Sequence, residues 1–155
     1  MSIDQSKKVI IEFAKTLEMF DLSQLDARLF VYLYLADEPL TLDEMSAALG
    51  KSKTSMSTSA RNLSDANLIS RVWKKGVRKD LYEANSNLFR LFMNSHINQW
   101  IAVTKHQKEI IKDIEESLKQ MDIPNDKGTF HQKVQQIIHF HAELEDFFQE
   151  IATDL

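Results

Sequence analysis

The chain contains no cysteine, and its 155 residues include only three glycines and two prolines. The missing cysteines exclude a disulfide framework, a thiolate zinc site and a cysteine nucleophile, and they suit a reducing compartment such as the cytoplasm. Because glycine and proline are the residues that most often interrupt helices, their scarcity predicts a largely helical protein. A chain of this length can bury enough apolar surface to fold without a metal or a disulfide.

Long apolar runs are missing as well. Charged side chains interrupt the first twenty residues at Asp4, Lys7, Lys8, Glu12, Lys15 and Glu18. A signal peptide or a membrane-spanning helix needs an apolar stretch without such interruptions. The sequence therefore predicts a cytoplasmic protein with no membrane partner.

The net charge of -4 argues against a protein that coats nucleic acid indiscriminately. The charge is unevenly placed, however. Between Lys51 and Asp80 the chain carries eight basic residues and two acidic ones, a local net charge of +6. Such an excess is expected where one segment of a chain meets phosphates and the remainder does other work.

Apolar periodicity and capping residues divide the first half of the chain into helices. A first helix is predicted over roughly residues 6–20, where apolar residues recur at three- and four-residue steps. Ser23 is the predicted N-cap of a second helix. Thr41 and Glu44 form the S/T-x-x-E pattern of a capping box for a third helix, and Gly50 ends it.

A fourth helix, from its cap Ser52 to about Ala66, has two unlike faces. One face is apolar and carries Met56, Ala60 and Leu63. The other is short, polar and basic, and consists of Lys53, Thr54, Ser57, Thr58 and Arg61.

Two predicted strands follow, over residues 68–73 and 79–84, with a basic turn around Gly76 between them. From Ser86 to Met121 apolar residues then recur at near-heptad spacing for about ten helical turns. A break is predicted at Pro124, Asn125, Asp126, Lys127 and Gly128, before a last, phenylalanine-rich helix.

These elements predict a mainly α fold with a small β-hairpin wing. We assign an N-terminal helix to residues 1–21, a winged helix-turn-helix to residues 22–85 and a helical dimerisation region to residues 86–155. A homodimer is expected because the apolar stripes of the C-terminal helices exceed what one winged-helix core can cover.

The two short helices joined at Gly50 have the order of a helix-turn-helix, whose second helix enters the major groove of double-stranded DNA. Arg61 is expected to read a guanine with its planar fork, and the hairpin cations are expected to lie along phosphates or the minor groove. A serine-rich helix or a lysine run alone is more often a plain solvated surface, but their order and adjacency favour DNA binding. The predicted contact residues are Ser52, Lys53, Thr54, Ser57, Thr58, Arg61, Arg71, Lys74, Lys75, Arg78 and Lys79.

Two stretches carry a family resemblance: KSKTSMSTSARNL at residues 51–63 and LISRVWKKGVRKDLYEA at residues 68–84. Both resemble the GbsR subgroup of MarR-type winged helix-turn-helix regulators. The resemblance implies a homodimer, usually a repressor, that controls uptake or synthesis of compatible solutes and responds to quaternary ammonium compounds such as choline. Asn67 stands where such proteins often have glycine, and asparagine tolerates the left-handed conformation required there.

A quaternary ammonium ion is held by aromatic ring faces, because it cannot donate a hydrogen bond. Aromatic residues gather in the sequence around the junction of hairpin and long helix, and they form a tentative ligand site: Trp73, Tyr82, Phe89, Phe92 and Trp100. The plainer interpretation is that these rings are core residues that anchor the hairpin.

The histidines lack the i,i+4 spacing that would place two imidazoles on one helix face, so no metal site is predicted. No phosphate-binding glycine loop, nucleophile elbow or H-E-x-x-H motif occurs, so neither a cofactor nor an enzyme is expected. The alternative to a DNA-binding regulator is a helical adaptor that retains a winged-helix scaffold and docks on an acidic protein partner.

Overall fold

The computed structural model describes residues 3–121 and 127–155. Its helices and strands follow in the order α1 (Ile3–Leu17), a short 3-10 helix (Glu18–Phe20), α2 (Gln24–Leu35), α3 (Leu42–Leu49), α4 (Lys53–Asp65), β1 (Ile69–Val72), β2 (Leu81–Ala84), α5 (Leu88–Gln120) and α6 (Lys127–Asp154). The chain forms two compact units, of which the first ends at Phe92 and the second begins at Met93. The predicted fold class, mainly helical with a hairpin wing and long C-terminal helices, is confirmed.

Helix α1 ends three residues earlier than the apolar pattern suggested. The chain tightens into a 3-10 turn after Leu17, and Asp21 then takes a left-handed conformation with φ of 63°. Ala14 and Leu17 are buried in the core of the first unit. The N-terminal helix is therefore part of the same hydrophobic core as the helix-turn-helix.

The predicted caps set the ends of the next helices. The Ser23 hydroxyl accepts a hydrogen bond from the backbone N–H of Asp26 at 3.1 Å, and Thr41 and Glu44 form a complete capping box at the start of α3. Gly50 ends α3 in the left-handed conformation, with φ of 65°. A cap of this kind stabilises a helix by about 1 kcal/mol, so these residues fix where α2 and α3 begin.

The apolar side of α4 lies in the core of the first unit. Met56, Ala60 and Leu63 are buried there as predicted, and Ser59 is buried with them. Asn62 also donates a hydrogen bond of 3.2 Å to the buried carboxylate of Asp26 on α2. Full burial of a leucine or methionine side chain contributes about 1.5–3 kcal/mol, so these contacts determine the rotation of α4 about its axis.

The hairpin has shorter strands and a longer loop than the sequence indicated. Val72 pairs with Leu81, which leaves residues 73–80 as the loop. Trp73 is 82% exposed and lies beyond the last backbone pair of the two strands. Leu40 and Tyr82 exchange two backbone hydrogen bonds of 2.9 Å, an isolated bridge that joins the α2–α3 connection to β2.

Asn67 joins α4 to the hairpin. Its φ of 59° places it in the left-handed region, which confirms that asparagine fills the position suited to glycine. The backbone carbonyl of Asn67 accepts a hydrogen bond from the Asn85 side chain at 2.7 Å. The side chain of Asn85 in turn accepts one from the Ser70 hydroxyl at 2.6 Å. These contacts fasten the open end of the hairpin to the end of α4.

In the second unit α5 and α6 are antiparallel and meet through polar as well as aromatic contacts. Nζ of Lys108 lies 2.6 Å from Oε2 of Glu145, and the two side chains are 15% and 9% exposed. Closer to the end of α5, Gln135 donates to the Glu115 carboxylate at 2.6 Å. The carboxylate of Glu145 also raises the pKa of Lys108 by accepting its hydrogen bond.

The predicted break between the last helices is only partly described. Pro124, Asn125 and Asp126 lie outside the described residues, whereas Lys127 and Gly128 already belong to α6. These last two residues were wrongly assigned to the break. Among the described residues, no helix is long and apolar enough to cross a membrane.

We expect Lys108→Met to lower the melting temperature more than the double variant Lys108→Met/Glu145→Leu does. The single change leaves a buried carboxylate without its cation, whereas the double change replaces the pair by apolar groups. Thermal unfolding followed by circular dichroism at one protein concentration measures both, with the exposed Lys105→Met as the control. A double variant that melts below the single one would contradict the assigned pairing.

Candidate nucleic-acid interface

The outward side of α4 carries the side chains that the sequence assigned to DNA. Lys53, Thr54, Thr58 and Arg61 are exposed, and Ser57 is half-buried. This orientation follows from burial of the opposite side, because residues separated by three or four positions share one face of a helix. The exposed side therefore presents small hydroxyl groups and two cations, a surface that can approach base edges closely.

Two of the hydroxyl residues of this helix also serve the helix itself. The Ser52 hydroxyl accepts the backbone N–H of Ser55 at 3.0 Å and so caps α4. The Thr58 hydroxyl donates to the backbone carbonyl of Thr54 at 3.1 Å. Ser52 is thus held at the first turn, where the backbone N–H groups of a helix attract anions such as phosphate.

The hairpin loop, residues 73–80, is exposed along its whole length. Gly76 has a φ of 83°, a left-handed conformation that favours glycine. The backbone N–H of Val77 donates to the carbonyl of Lys74 at 3.1 Å. This turn presents the predicted phosphate-binding residues of the loop to solvent: Lys74, Lys75, Arg78 and Lys79.

Arg71, another predicted contact residue, is held within the hairpin. Its guanidinium lies 3.3 Å from the carboxylate of Asp80, and both side chains are more than half exposed. An exposed ion pair of this kind is weak and is screened by salt. The pair crosses the base of the loop and so restrains its two ends.

Asp43 joins α4 to the wing and was absent from the predicted site. Its Oδ2 lies 2.7 Å from Nζ of Lys79, and its Oδ1 lies 3.5 Å from Nζ of Lys53. All three side chains line a shallow cleft of about 230 Å³ between the beginnings of α3 and α4 and the hairpin loop. One carboxylate therefore lies between α4 and the hairpin loop.

The two lysines alter the ionisation of Asp43. The hydrogen bond donated by Lys79, followed by the charge of Lys53, holds the pKa of the Asp43 carboxyl below its ordinary value. The same hydrogen bond raises the pKa of Lys79. Any stability that the Asp43–Lys79 pair contributes is present at neutral pH; it is lost as the pH falls through the lowered pKa of Asp43 or rises through the raised pKa of Lys79.

Sequence reasoning missed Asp43 because it lies eight positions before the basic segment and, within α3, only resembles a favourable acidic residue near a helix N-terminus. The i,i+4 and strand patterns carry no signal for a contact across 36 positions. Such a carboxylate can be recognised in the sequence only when it is known which loop lies beside α3.

The five aromatic residues of the tentative ligand site have different surroundings. Trp73 and Phe89 are 82% and 71% exposed. Phe92 is buried, with its ring 5.1 Å from that of Phe30, and Tyr82 packs against the same core. In the second unit the Trp100 ring lies 5.3 Å from that of Phe148. Phe92 has the packing of a core residue, whereas Trp73 and Phe89 keep open ring faces.

Within the part of the chain that the structure describes, no group of three or more histidines and carboxylates is placed to hold a metal ion.

No family model matches the chain. Three proteins of Bacillus subtilis (strain 168) are related to it in sequence. Identity is 32% over 117 residues with the HTH-type transcriptional repressor OpcR, which covers 75% of this chain and 63% of OpcR. It is 34% over 117 residues with the putative HTH-type transcriptional regulator YvaV, over 75% of this chain and 66% of YvaV. It is 32% over 100 residues with the HTH-type transcriptional repressor GbsR, over 64% of this chain and 55% of GbsR.

The chain is similar to helix-turn-helix transcriptional regulators. It spans less than two thirds of the length of each of these three relatives. A crystal structure of a transcriptional regulator has the same fold, with a TM-score of 0.67 and 19% identity over 97% of both chains. This structural similarity extends over the C-terminal helices. The two stretches that carry the family resemblance, residues 51–63 and 68–84, do not include them.

Proposed function

We propose that this protein is a sequence-specific, DNA-binding transcriptional regulator of the MarR type, within or near the GbsR subgroup, and that it acts as a repressor. The observation that carries this proposal is the exposed polar side of α4 beside an exposed basic hairpin loop in one compact unit. Two of the related proteins are named repressors, which supports the direction of regulation.

In this proposal α4 lies in the major groove and the hairpin loop follows the flanking backbone. Arg61 lies on the exposed side of α4, where its planar guanidinium can form two parallel hydrogen bonds with a guanine. Lys74 and Lys75 lie in the hairpin loop, where ammonium groups contact phosphates of any sequence. In this arrangement α4 recognises bases, and the hairpin loop supplies the attraction to the DNA backbone.

Arg61→Ala should weaken binding to the cognate duplex by about 1–3 kcal/mol and change binding to random duplex much less, because it removes a base contact. Fluorescence anisotropy at one salt concentration measures both affinities on a duplex selected from a random library with the wild type. The comparison variant Lys74→Ala/Lys75→Ala should instead flatten the slope of log affinity against log salt by about one unit per lost phosphate contact. Equal losses on cognate and random DNA would reduce Arg61 to a phosphate contact.

The second unit supports the proposal that the protein is a homodimer. On α5, Val103, Ile110 and Ile114 remain exposed at steps of seven and four residues; on α6, exposed apolar side chains recur at steps of seven, three and seven residues, at Phe130, Ile137, Phe140 and Phe147. Such spacing produces a continuous apolar stripe along a helix, and a second copy would cover it. A dimer would also present two recognition helices to a pseudo-palindromic site.

We expect Phe147→Glu to weaken dimerisation and, with it, cognate DNA binding. The new charge would lie in the proposed apolar contact, where its desolvation opposes association. Sedimentation velocity over a range of micromolar concentrations measures the first effect and anisotropy the second. Gln132→Glu adds the same charge at an exposed position of α6 on a different side of the helix from the stripe, and it should leave both intact. A wild type that sediments as a stable monomer would refute the dimer.

The effector is a finer proposal: a quaternary ammonium compound such as choline, bound by exposed rings among the aromatic residues named from the sequence. The open ring faces of Trp73 and Phe89 favour it, because a cation is attracted to an exposed ring face. Trp73 directly precedes Lys74 in the hairpin loop, so a ligand on its ring could bias how the loop cations are presented to DNA. Ligand binding changes DNA affinity only if the two protein states bind the ligand differently.

We expect choline to quench or shift tryptophan fluorescence and to produce heat in calorimetry at millimolar concentrations, with the heat reduced in Trp73→Ala. Each ring face contributes on the order of 0.5–2 kcal/mol, so loss of one ring should be measurable. The uncharged isostere 3,3-dimethylbutanol is the control, and its equal binding would mean an ordinary apolar pocket. No signal at tens of millimolar choline would eliminate this ligand class and leave DNA binding untouched.

The adaptor alternative makes a different prediction for the same basic loop. If the basic loop serves to bind an acidic protein partner, this protein should show no preference among DNA sequences. A regulator should instead select one sequence from a random library. Selection of a defined duplex by the wild type, and its loss in Arg61→Ala, separates the two functions.

A further inference from the structure

Asp43 contacts cations that belong to two different DNA-facing elements. Lys53 is the first residue of α4, and Lys79 lies in the hairpin loop. The carboxylate lies 2.7 Å from the Lys79 ammonium and 3.5 Å from that of Lys53. The three side chains remain between 46% and 65% exposed, so the same surface is open to a large anionic partner.

A carboxylate in this position has two opposing effects on a polyanion such as DNA. Its negative charge offsets part of the attraction that the two lysines exert on any phosphate. At the same time each ammonium has three N–H donors, so a lysine bonded to Asp43 keeps donors for a phosphate. Asp43 therefore lowers the general attraction to DNA while it holds the two lysines at a set separation.

We propose that Asp43 is a specificity-determining residue of the DNA interface, which restrains binding to arbitrary sequences more than binding to the cognate one. The inference rests on the proposed function. On random DNA the backbone attraction supplies almost all of the affinity, so a carboxylate among the phosphates opposes a large share of it. On the cognate duplex, loss of Asp43 would also release Lys53 and Lys79 from the separation at which they flank the base contacts of α4. This loss of positioning offsets part of the gained attraction, whereas binding to random DNA does not depend on it. A repulsive group aimed at wrong partners is a common route to specificity.

The central experiment compares Asp43→Asn with the wild type on a selected cognate duplex and on random duplex, over a range of salt concentrations. Affinity for random duplex should rise about three- to tenfold at low salt, and its log–log salt slope should steepen by about one unit per released lysine. Cognate affinity should rise less, so the ratio of cognate to random affinity falls. Asp37→Asn removes the same charge at an exposed position of the same unit and should leave that ratio unchanged.

A measurement without DNA tests the contact itself. Carbon-13 NMR of the aspartate carboxyls should give Asp43 a pKa below the ordinary range in the wild type, which returns towards normal in Lys79→Gln. An ordinary pKa for Asp43 in the wild type would overturn the proposal. Thermal melting checks that Asp43→Asn still folds, as the intact Thr41–Glu44 capping box leads us to expect.

The outcomes separate the inference from the function on which it rests. A wild type that selects no duplex removes the DNA-binding function and this inference together. A wild type that selects a duplex, with an Asp43→Asn variant of unchanged cognate-to-random ratio, removes this inference alone. Equal weakening on both duplexes would show Asp43 to be merely structural and would also overturn it.

Discussion

Burial of one side of α4 is the constraint on which the interface depends. Met56 and Leu63 are fully buried, and the Asn62–Asp26 hydrogen bond ties the same helix to α2. A rotation of α4 by one residue would turn these apolar side chains towards solvent, and each would lose about 1.5–3 kcal/mol of burial. The core of the first unit thus decides that Arg61 and the hydroxyl residues point outward.

The resulting surface is basic but contains carboxylates at two places. Asp80 pairs with Arg71 across the base of the hairpin loop, and Asp43 pairs with Lys79 and Lys53. These contacts are exposed, so they contribute little to folding and weaken as salt rises. Their effect is on position, because they hold cations of separate elements near one another.

In the second unit, polar pairs lie between α5 and α6, and apolar side chains are exposed on the outside of both helices. The Lys108–Glu145 pair and the Gln135–Glu115 contact lie at separate levels of α5 and α6 and match only in one antiparallel register. Buried polar pairs of this kind select an arrangement of helices, because a shifted register would leave a charge unpaired in the interior. The exposed apolar side chains of α5 and α6 lie outside these polar contacts.

The sequence alone determined where α2, α3 and α4 begin, the buried side of α4, the left-handed Asn67 and the presence of the wing, because caps, periodicity and turn residues act over a few positions. It placed the strand ends too far into the loop, since exposed Trp73 and Lys79 lie beyond the Val72–Leu81 pair, and only the backbone pairing shows where a strand ends. Only the tertiary structure decided the Leu40–Tyr82 bridge, the core position of Phe92 and the place of Asp43 between Lys53 and Lys79. Such contacts join residues separated by tens of positions, and local propensity carries no information about which of these the folded chain brings together.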